Sequence, residues 1–414
     1  MKKKIWLINH YATEMYKNKG GRHYWFAKEL LKRGYEPTII CANAYHNSYN
    51  YEDTGREKYV VKSANNVPFV FIKTGSAVSN GLDRMISMAC FSLNLFLASE
   101  NLIKSFGKPD VILASSVHPL TWLAGYLIAK KYKIKFIAET RDLWPETFVA
   151  MGAMKKNSLI AKALYKLEKF IYRRADSLIF TMAGGKDYLK EIGLNNQNVH
   201  HINNGIDLEL YNKNLKDYTY DDADLSNPEL FKIIYTGTIS KMNLIGDIVE
   251  IAKVFNEKGP HNIKFIIFGD GHEKQFLEKY AQNNQLTNIV FKGKVDKIYI
   301  PGILAKSDLN IFTGHKLCLY KFGLSCNKMF DYLASGKPIL SNIECGFDLL
   351  EKYQCGITVQ SGSPVELVNG ILRFYNMPSE EYERYANNAV KAAKDHVFKA
   401  HTDKLEKIIK DLLQ

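Results

Sequence analysis

The chain lacks the spacings that mark metal and redox sites. Its six cysteines, Cys41, Cys90, Cys318, Cys326, Cys345 and Cys355, form no Cys-x-x-Cys pair and stand away from paired histidines. That argues against a zinc cage and for reduced thiols in a cytoplasmic protein. No Gly-x-Gly-x-x-Gly run is present, so a dinucleotide cofactor is disfavoured. Long apolar runs are also missing. Behind Lys2-Lys3-Lys4, the run Ile5-Trp6-Leu7-Ile8 stops at Asn9-His10, too short for a signal peptide and right for a first strand. The stretch from Met85 to Ala98 is broken by Ser87, Ser92 and Asn94 and falls short of the roughly 20 residues that cross a bilayer, so no membrane span is expected. With 11 Pro, 27 Gly and no repeat or low-complexity tract, the chain is neither collagen-like nor disordered nor a solenoid. It has neither an aromatic-rich RNA signature nor a helix-turn-helix pattern, and no nucleic-acid partner is expected.

What is present is length, ordinary globular composition and a lopsided charge. At 414 residues, two α/β-sized domains are the expectation. Residues 1–205 carry 30 Lys and Arg against 16 Asp and Glu, and residues 206–414 carry 26 against 27. The whole surplus of +13 therefore sits in the first half, which suggests that this half meets something anionic.

Short apolar runs alternate with amphipathic stretches in both halves, the rhythm of a parallel sheet wrapped by helices. In the first half, strands are expected near 4–9, 37–41, 69–72, 110–114, 134–138 and 176–181, and helices near 22–34, 83–105, 119–131, 157–174 and 184–192. The rhythm breaks at 206–230, with Asp221-Asp222-Ala223-Asp224 and Asn227-Pro228, and restarts at 231. The reading is α/β with two doubly wound Rossmann-like domains: 1–210, a linker 211–230, a second domain 231–378, and C-terminal helices 379–414 packing back on the first domain.

Several segments could carry chemistry. Gly20-Gly21 before a helix would let backbone approach a phosphate. In the second domain, strand 231–236 ends in Gly237-Thr238, with Lys241 placed to neutralise a phosphate, and strand 263–268 ends in Gly269-Asp270-Gly271. The run Phe322-Gly323-Leu324-Ser325-Cys326-Asn327-Lys328 opens a short helix that Ser325 can cap and that Gly336 and Pro338 end. Asp331, one turn in, is placed to accept from ribose hydroxyls, or is simply a solvated helix residue. In the first domain, Glu139-Thr140-Arg141-Asp142-Leu143-Trp144-Pro145-Glu146 follows a strand and suits polar substrate handling, with a structural Arg141–Asp142 ion pair as the competing reading. His118 sits at the mouth of the same sheet, catalytic or structural. The helix near 157–174 carries Lys162, Lys166, Lys169 and Arg173 on one face, either an ordinary solvated face or one that can lie on an anionic membrane. Asp222-Ala223-Asp224 has a metal-binding spacing but lies in the expected linker, so no metal site is assigned.

Taken in order, these motifs resemble family 4 glycosyltransferases, the retaining GT-B class that uses activated sugars. Gly20-Gly21 followed by Leu30-x-x-Arg33-Gly34-Tyr35, Asn203-Asn204-Gly205-Ile206-Asp207, Gly269-Asp270-Gly271 and Phe322–Pro338 carry the likeness. Thr140–Glu146 is similar to bacterial members that build O-antigen and capsule. The resemblance implies two domains facing across a cleft and transfer, with retention, from a nucleoside-diphosphate sugar, UDP-linked and N-acetylated or deoxy. It implies no metal and no other cofactor. The acceptor would be a lipid-linked or other glycan reached from an anionic membrane surface by a peripheral cytoplasmic enzyme.

By the same resemblance, Gly323, Leu324, Ser325, Cys326, Asn327 and Lys328 together with Lys241 hold the diphosphate, Asp331 the ribose, and Gly20-Gly21 closes over the phosphate. His118, Arg141 and Asp142 orient the acceptor. Two positions depart from the family pattern. Its paired glutamates read Gly323 and Asp331 here, and the arginine and lysine after the first strand of the second domain read Thr238 and Lys241. Hydrolysing nucleotide-sugar epimerases share the architecture, and a non-catalytic sugar- or nucleic-acid-binding protein is the remaining alternative.

Overall fold

The structure, a computed structural model, describes residues 2–45, 48–75, 81–195 and 198–414. Contacts divide the chain into two compact units, Met1–Asn203 with Phe398–Gln414, and Asn204–Val397.

The first unit holds a sheet ordered β3-β4-β2-β1-β5-β6-β7-β8. Its strands are β1 (Lys4–Ile8), β2 (Glu36–Ala42), β3 (Tyr59–Ala64), β4 (Val67–Ile72), β5 (Val111–Ser115), β6 (Lys135–Thr140), β7 (Ser177–Phe180) and β8 (Val199–His201). All pairings are parallel except β3 with β4, a hairpin turned by Asn65 and Asn66, both at positive φ. The strands are near-continuous Ile, Leu, Val and Phe because both faces are covered. Strand order reverses at β1, and right-handed crossovers then put helix Arg22–Lys32 on one face and helices Pro119–Tyr132 and Leu159–Arg174 on the other. Helices Leu82–Phe106, Pro119–Tyr132 and Leu159–Arg174 pack side by side. Helix Pro119–Tyr132 begins at the carboxyl edge of the sheet, because it follows the C-terminal end of β5.

The second unit repeats the plan with six parallel strands ordered β11-β10-β9-β12-β13-β14. They are β9 (Phe231–Thr236), β10 (Ile263–Phe268), β11 (Ile289–Gly293), β12 (Leu309–Phe312), β13 (Ile339–Ser341) and β14 (Gly356–Thr358). The order reverses at β9.

Three expectations are corrected. The units meet at Asn203/Asn204, before position 210, and the expected linker 211–230 is part of the second unit. Asp207 caps helix Leu208–Asp217 by accepting from the Leu210 N–H at 2.9 Å, and buried Tyr211 and Leu225 anchor the segment to the core. The tail also divides. Helix Ser379–Asp395 buries Ala389, Ala392 and Ala393 against helix Asn327–Ala334, while helix Phe398–Leu413 buries Phe398, Leu405, Ile408 and Ile409 in the first unit, where Arg33 meets Asp403 and Glu406. Third, Met85–Ala98 belongs to a helix of 25 residues whose window Asp83–Phe106 is long and apolar enough to cross a membrane by length and composition. In the unit this helix buries Phe91, Leu95, Ala98 and Leu102, the pattern of a helix laid on a sheet.

Candidate functional site

At the carboxyl edge of the first sheet, beside the reversal at β1, a chain of polar side chains is buried. Arg22 opens its helix directly after Gly20-Gly21. Gly21 sits at φ 109°, and a Cβ there would lie 2.9 Å from Met15 Cγ, so this entry needs glycine. Arg22 Nε donates to Glu139 Oε1 at 2.8 Å, while its two terminal nitrogens donate to the carbonyls of Asn203 (2.6 Å) and Ile202 (2.8 Å). His23 Nε2 lies 2.8 Å from Glu139 Oε2, and its Nδ1 lies 2.9 Å from Asn9 Nδ2. That pattern suits a neutral ring with its proton on Nε2. Burial alone would raise the Glu139 carboxyl, but Arg22, His23 and Arg141 hold it well below the usual carboxylate range. Burial lowers His23 despite the carboxylate beside it.

His118 and Arg141 follow β5 and β6. Burial, then the neighbouring His10, push His118 well below the usual histidine range. Its Nε2 lies 3.0 Å from His10 Nδ1 and 3.2 Å from Thr121 Oγ1. The Arg141 N–H donates to Ser116 Oγ at 3.1 Å. The structural ion pair offered as the competing reading for Arg141 and Asp142 is not formed as a contact: among the described residues no carboxylate lies within 4.0 Å of the Arg141 guanidinium, although Arg141 still lowers the Asp142 carboxyl at longer range.

At the carboxyl edge of the second sheet, glycine lets two strand ends stack. A Cβ on Gly269 would lie 1.7 Å from the Gly237 carbonyl oxygen. The Gly237 N–H donates to the Phe268 carbonyl at 2.9 Å, and the Ile239 N–H to that of Asp270 at 2.9 Å. Lys328, in the first turn of helix Asn327–Ala334, reaches into this stack. Its Nζ lies 4.5 Å from the Tyr235 ring centre and 5.1 Å from that of Phe312, and donates to Tyr235 Oη (3.1 Å) and Asn243 Oδ1 (3.2 Å). Burial pushes this amine down to about 8. Tyr235 Oη and Asn243 Nδ2 both donate to the Thr238 carbonyl at 2.9 Å, which fixes the loop after β9.

The structure thus gathers Gly237, Thr238, Gly269, Asp270, Asn327 and Lys328 at one edge and leaves Lys241 exposed at the start of a 3-10 turn. Lys328 is the inward cation there. Ser325 does not cap the helix. Cys326 holds the cap position, and Ser325 Oγ instead accepts from the Asn204 N–H at 3.2 Å while its carbonyl accepts from Asn204 Nδ2 at 3.2 Å. The loop Gly323-Leu324-Ser325 is thereby tied to the first residue of the second unit. Asp331 is half-buried. Burial raises its carboxyl, opposed by Lys297.

Asp222 and Asp224 both hold Lys292 Nζ at 2.6 Å, so their carboxylates are already engaged. Lys162, Lys166 and Arg173 are exposed on helix Leu159–Arg174, with Lys169 half-buried. Sequence reasoning missed Asn9, Arg22, His23 and Glu139 as one constellation, His10 as the neighbour of His118, and Tyr235 and Asn243 as the Lys328 box. The available signal was Asn9-His10 directly after a strand and Arg22-His23 directly after paired glycines.

Two family models match the chain in tandem, glycosyltransferase family 4 over residues 24–210 and glycosyl transferases group 1 over residues 218–392. The uncharacterized glycosyltransferase MJ1069 of Methanocaldococcus jannaschii is 24% identical over 291 residues, 68% of this chain and 70% of that protein. Sucrose-phosphate synthase of Thermosynechococcus elongatus has a similar structure, with TM-score 0.73 and 15% identity over 99% of both chains. Anabaena HepE, in complex with UDP and glucose, gives 0.66 and 15% over 99% of both. These likenesses show the GT-B fold in this chain. Two tandem matches across nearly the whole length, on two sheets that each reverse at a polar strand edge, make this chain a glycosyltransferase of family 4.

Proposed function

We propose that this glycosyltransferase transfers a sugar, with retention of anomeric configuration and without a metal or other cofactor, from a UDP-linked donor to a glycan acceptor in bacterial surface-polysaccharide synthesis. The observation that carries the donor half is Lys328, a half-buried cation at a helix N-terminus facing glycine-lined strand ends. A leaving diphosphate gains charge as the glycosidic bond breaks, and a cation and free helix N–H groups placed beforehand stabilise that charge. Asn327 and Lys328 supply those groups, and Asp331 accepts from the ribose hydroxyls one turn further along. The engagement of Asp222 and Asp224 with Lys292 supports a metal-independent reaction. His118, Arg141 and Asp142 orient the acceptor, and at Gly20-Gly21, where the Gly20 N–H donates to the Met15 carbonyl at 3.3 Å, the Gly21 N–H is the one given to phosphate.

The acceptor half of the reading is a lipid-linked glycan at an anionic membrane, with the enzyme peripheral on its cytoplasmic side. Support comes from the start of helix Leu159–Arg174. Leu159 and Ile160 are 85% and 61% exposed, next to exposed Lys155, Lys156, Lys162 and Lys166. The only acidic residue of 155–174, Glu168, is buried. Ile86, Leu93 and Leu97 add an exposed apolar stripe on helix Leu82–Phe106.

A thermal-shift comparison of UDP, GDP, ADP and dTDP tests the donor. A ligand at a hundred times its Kd adds about 2.7 kcal/mol of stability. Selective stabilisation by UDP is expected, and no shift with any of the four would sink the reading.

A further inference from the structure

At the carboxyl edge of the first sheet, Arg141 carries a positive charge with no carboxylate in ion-pair contact among the described residues, Glu139 and Asp142 feeling it only at longer range. Glu139 is fully used, one oxygen by Arg22 and the other by His23. Arg141 acts electrostatically on this group, yet its own guanidinium has no carboxylate within 4.0 Å among the described residues. Its Nε is shut off from solvent without a hydrogen-bond partner, and so are His118 Nδ1 and Ser115 Oγ. Those three residues stand at the ends of β5 and β6, adjacent strands in which Ser115 is paired with Glu139. The Ser116 N–H donates to the Glu139 carbonyl at 2.8 Å, and Ser116 Oγ in turn holds the Arg141 backbone. The loop carrying Arg141 is therefore fixed while the shielded Nε of its half-buried guanidinium is not satisfied. A shielded polar atom left without a partner costs stability. Folds retain such groups where a ligand completes them.

We propose that Arg141, with Ser115 and His118 beside it, forms a phosphate-binding subsite in the first unit. The guanidinium fork matches two phosphate oxygens, and the Ser115 hydroxyl can donate to a third. His118, held neutral by burial, adds a hydrogen bond without adding charge. The phosphate has two sources: the diphosphate of the donor, or a phosphate that joins the acceptor glycan to its carrier. Only this choice of source rests on the glycosyl-transfer reading.

The test is calorimetric titration of the full chain with inorganic phosphate, with and without saturating UDP, for wild type, Arg141→Met, Arg141→Lys and Lys328→Met. At least a tenfold loss of phosphate affinity is expected in Arg141→Met, a smaller loss in Arg141→Lys, and an Arg141-dependent component that survives in Lys328→Met. Circular dichroism confirms that each variant is folded, and Arg141→Lys carries the test if Arg141→Met is not. Phosphate binding that persists under saturating UDP assigns the subsite to the acceptor. Competition by UDP, with weaker UDP binding in Arg141→Met, assigns it to the donor. Equal phosphate and UDP affinities in wild type and Arg141→Met overturn the subsite, as does a wild type that binds no phosphate. Intact phosphate binding with no UDP binding leaves the subsite standing and overturns the UDP reading alone.

Discussion

Arg22 and Glu139 form a buried ion pair at 2.8 Å although 117 residues separate them in sequence. The pair joins the helix after Gly20-Gly21 to the end of β6, and through Arg22 it also holds the carbonyls of Ile202 and Asn203, the last residues before the second unit. Taking one partner away strands a charge in a shielded site.

Replacing Glu139 by Gln, or Arg22 by Met, should therefore destabilise the protein by about 3–5 kcal/mol, read as the shift in a urea midpoint. The pH dependence has a definite sign. The folded Glu139 carboxyl lies below its ordinary value of 4.5, so its contribution is complete above that pH and is lost as pH falls toward the folded value. Wild type should lose stability below pH 4.5 more steeply than Glu139→Gln. Equal acid limbs in the two proteins would remove the carboxylate from this role.

Lys328 gives a second pH signature. Its folded amine sits near 8, so the charged form that attracts a diphosphate is the majority below that pH and declines above it. UDP affinity should fall as pH rises through about 8. Lys328→Met should bind UDP on the order of tenfold to a hundredfold more weakly, with a flat profile over the same range, since a charge-assisted hydrogen bond contributes about 1.5–3 kcal/mol. If Lys241→Met is the variant that loses affinity, the exposed lysine is the clamp and Lys328 is structural.

The ribose role of Asp331 can be separated from a folding role with a modified ligand. Wild type should bind 2′-deoxy-UDP about tenfold more weakly than UDP, as expected when one buried hydrogen bond goes unmade. Asp331→Asn should bind both ligands weakly and nearly alike. A variant that still distinguishes the two ligands as wild type does would place the hydroxyl contact elsewhere.

The alternating architecture could be read from sequence because each central strand is a short apolar run bounded by turn residues, as in Ile5–Ile8, Ile39–Cys41 and Phe265–Phe268. Edge strand β3 could not. Only its last residue, Ala64, is buried, and its run Tyr59–Ala64 includes Lys62 and Ser63. Its one clear signal was Asn65-Asn66, a pair suited to a tight hairpin. Helix Leu208–Asp217 was hidden for a related reason: Asn, Lys and Asp dominate it, and a single buried tyrosine, Tyr211, fixes it.

The strand-end loops were found by position, since a polar cluster after an apolar run marks a carboxyl edge. The choice among polar residues was not available from spacing. Whether Lys241 or Lys328 turns inward depends on Tyr235 and Phe312, rings on two strands far apart in sequence, and Glu139 became a buried anion only when Arg22 and His23 met it.

The first helical turn after Ser158 offers the sharpest test of membrane docking because it combines two kinds of attraction that salt separates. Leu159 and Ile160 are exposed, and inserting each into a bilayer interface is worth about 1.5 kcal/mol or more, so Leu159→Ser with Ile160→Ser should weaken partitioning on the order of a hundredfold. Lys155, Lys156, Lys162 and Lys166 add about 1 kcal/mol each at an anionic surface at low salt. In flotation with vesicles containing phosphatidylglycerol, wild type should rise with the lipid at low ionic strength and bind less as salt shortens the Debye length to about 8 Å or below. The Leu159/Ile160 double variant should lose the binding that survives at high salt, and neutralising the four lysines should lose the salt-sensitive part. Wild type left at the bottom of the gradient at low salt would mean that this apolar and basic turn meets a different surface, and would remove the membrane from the acceptor half of the reading.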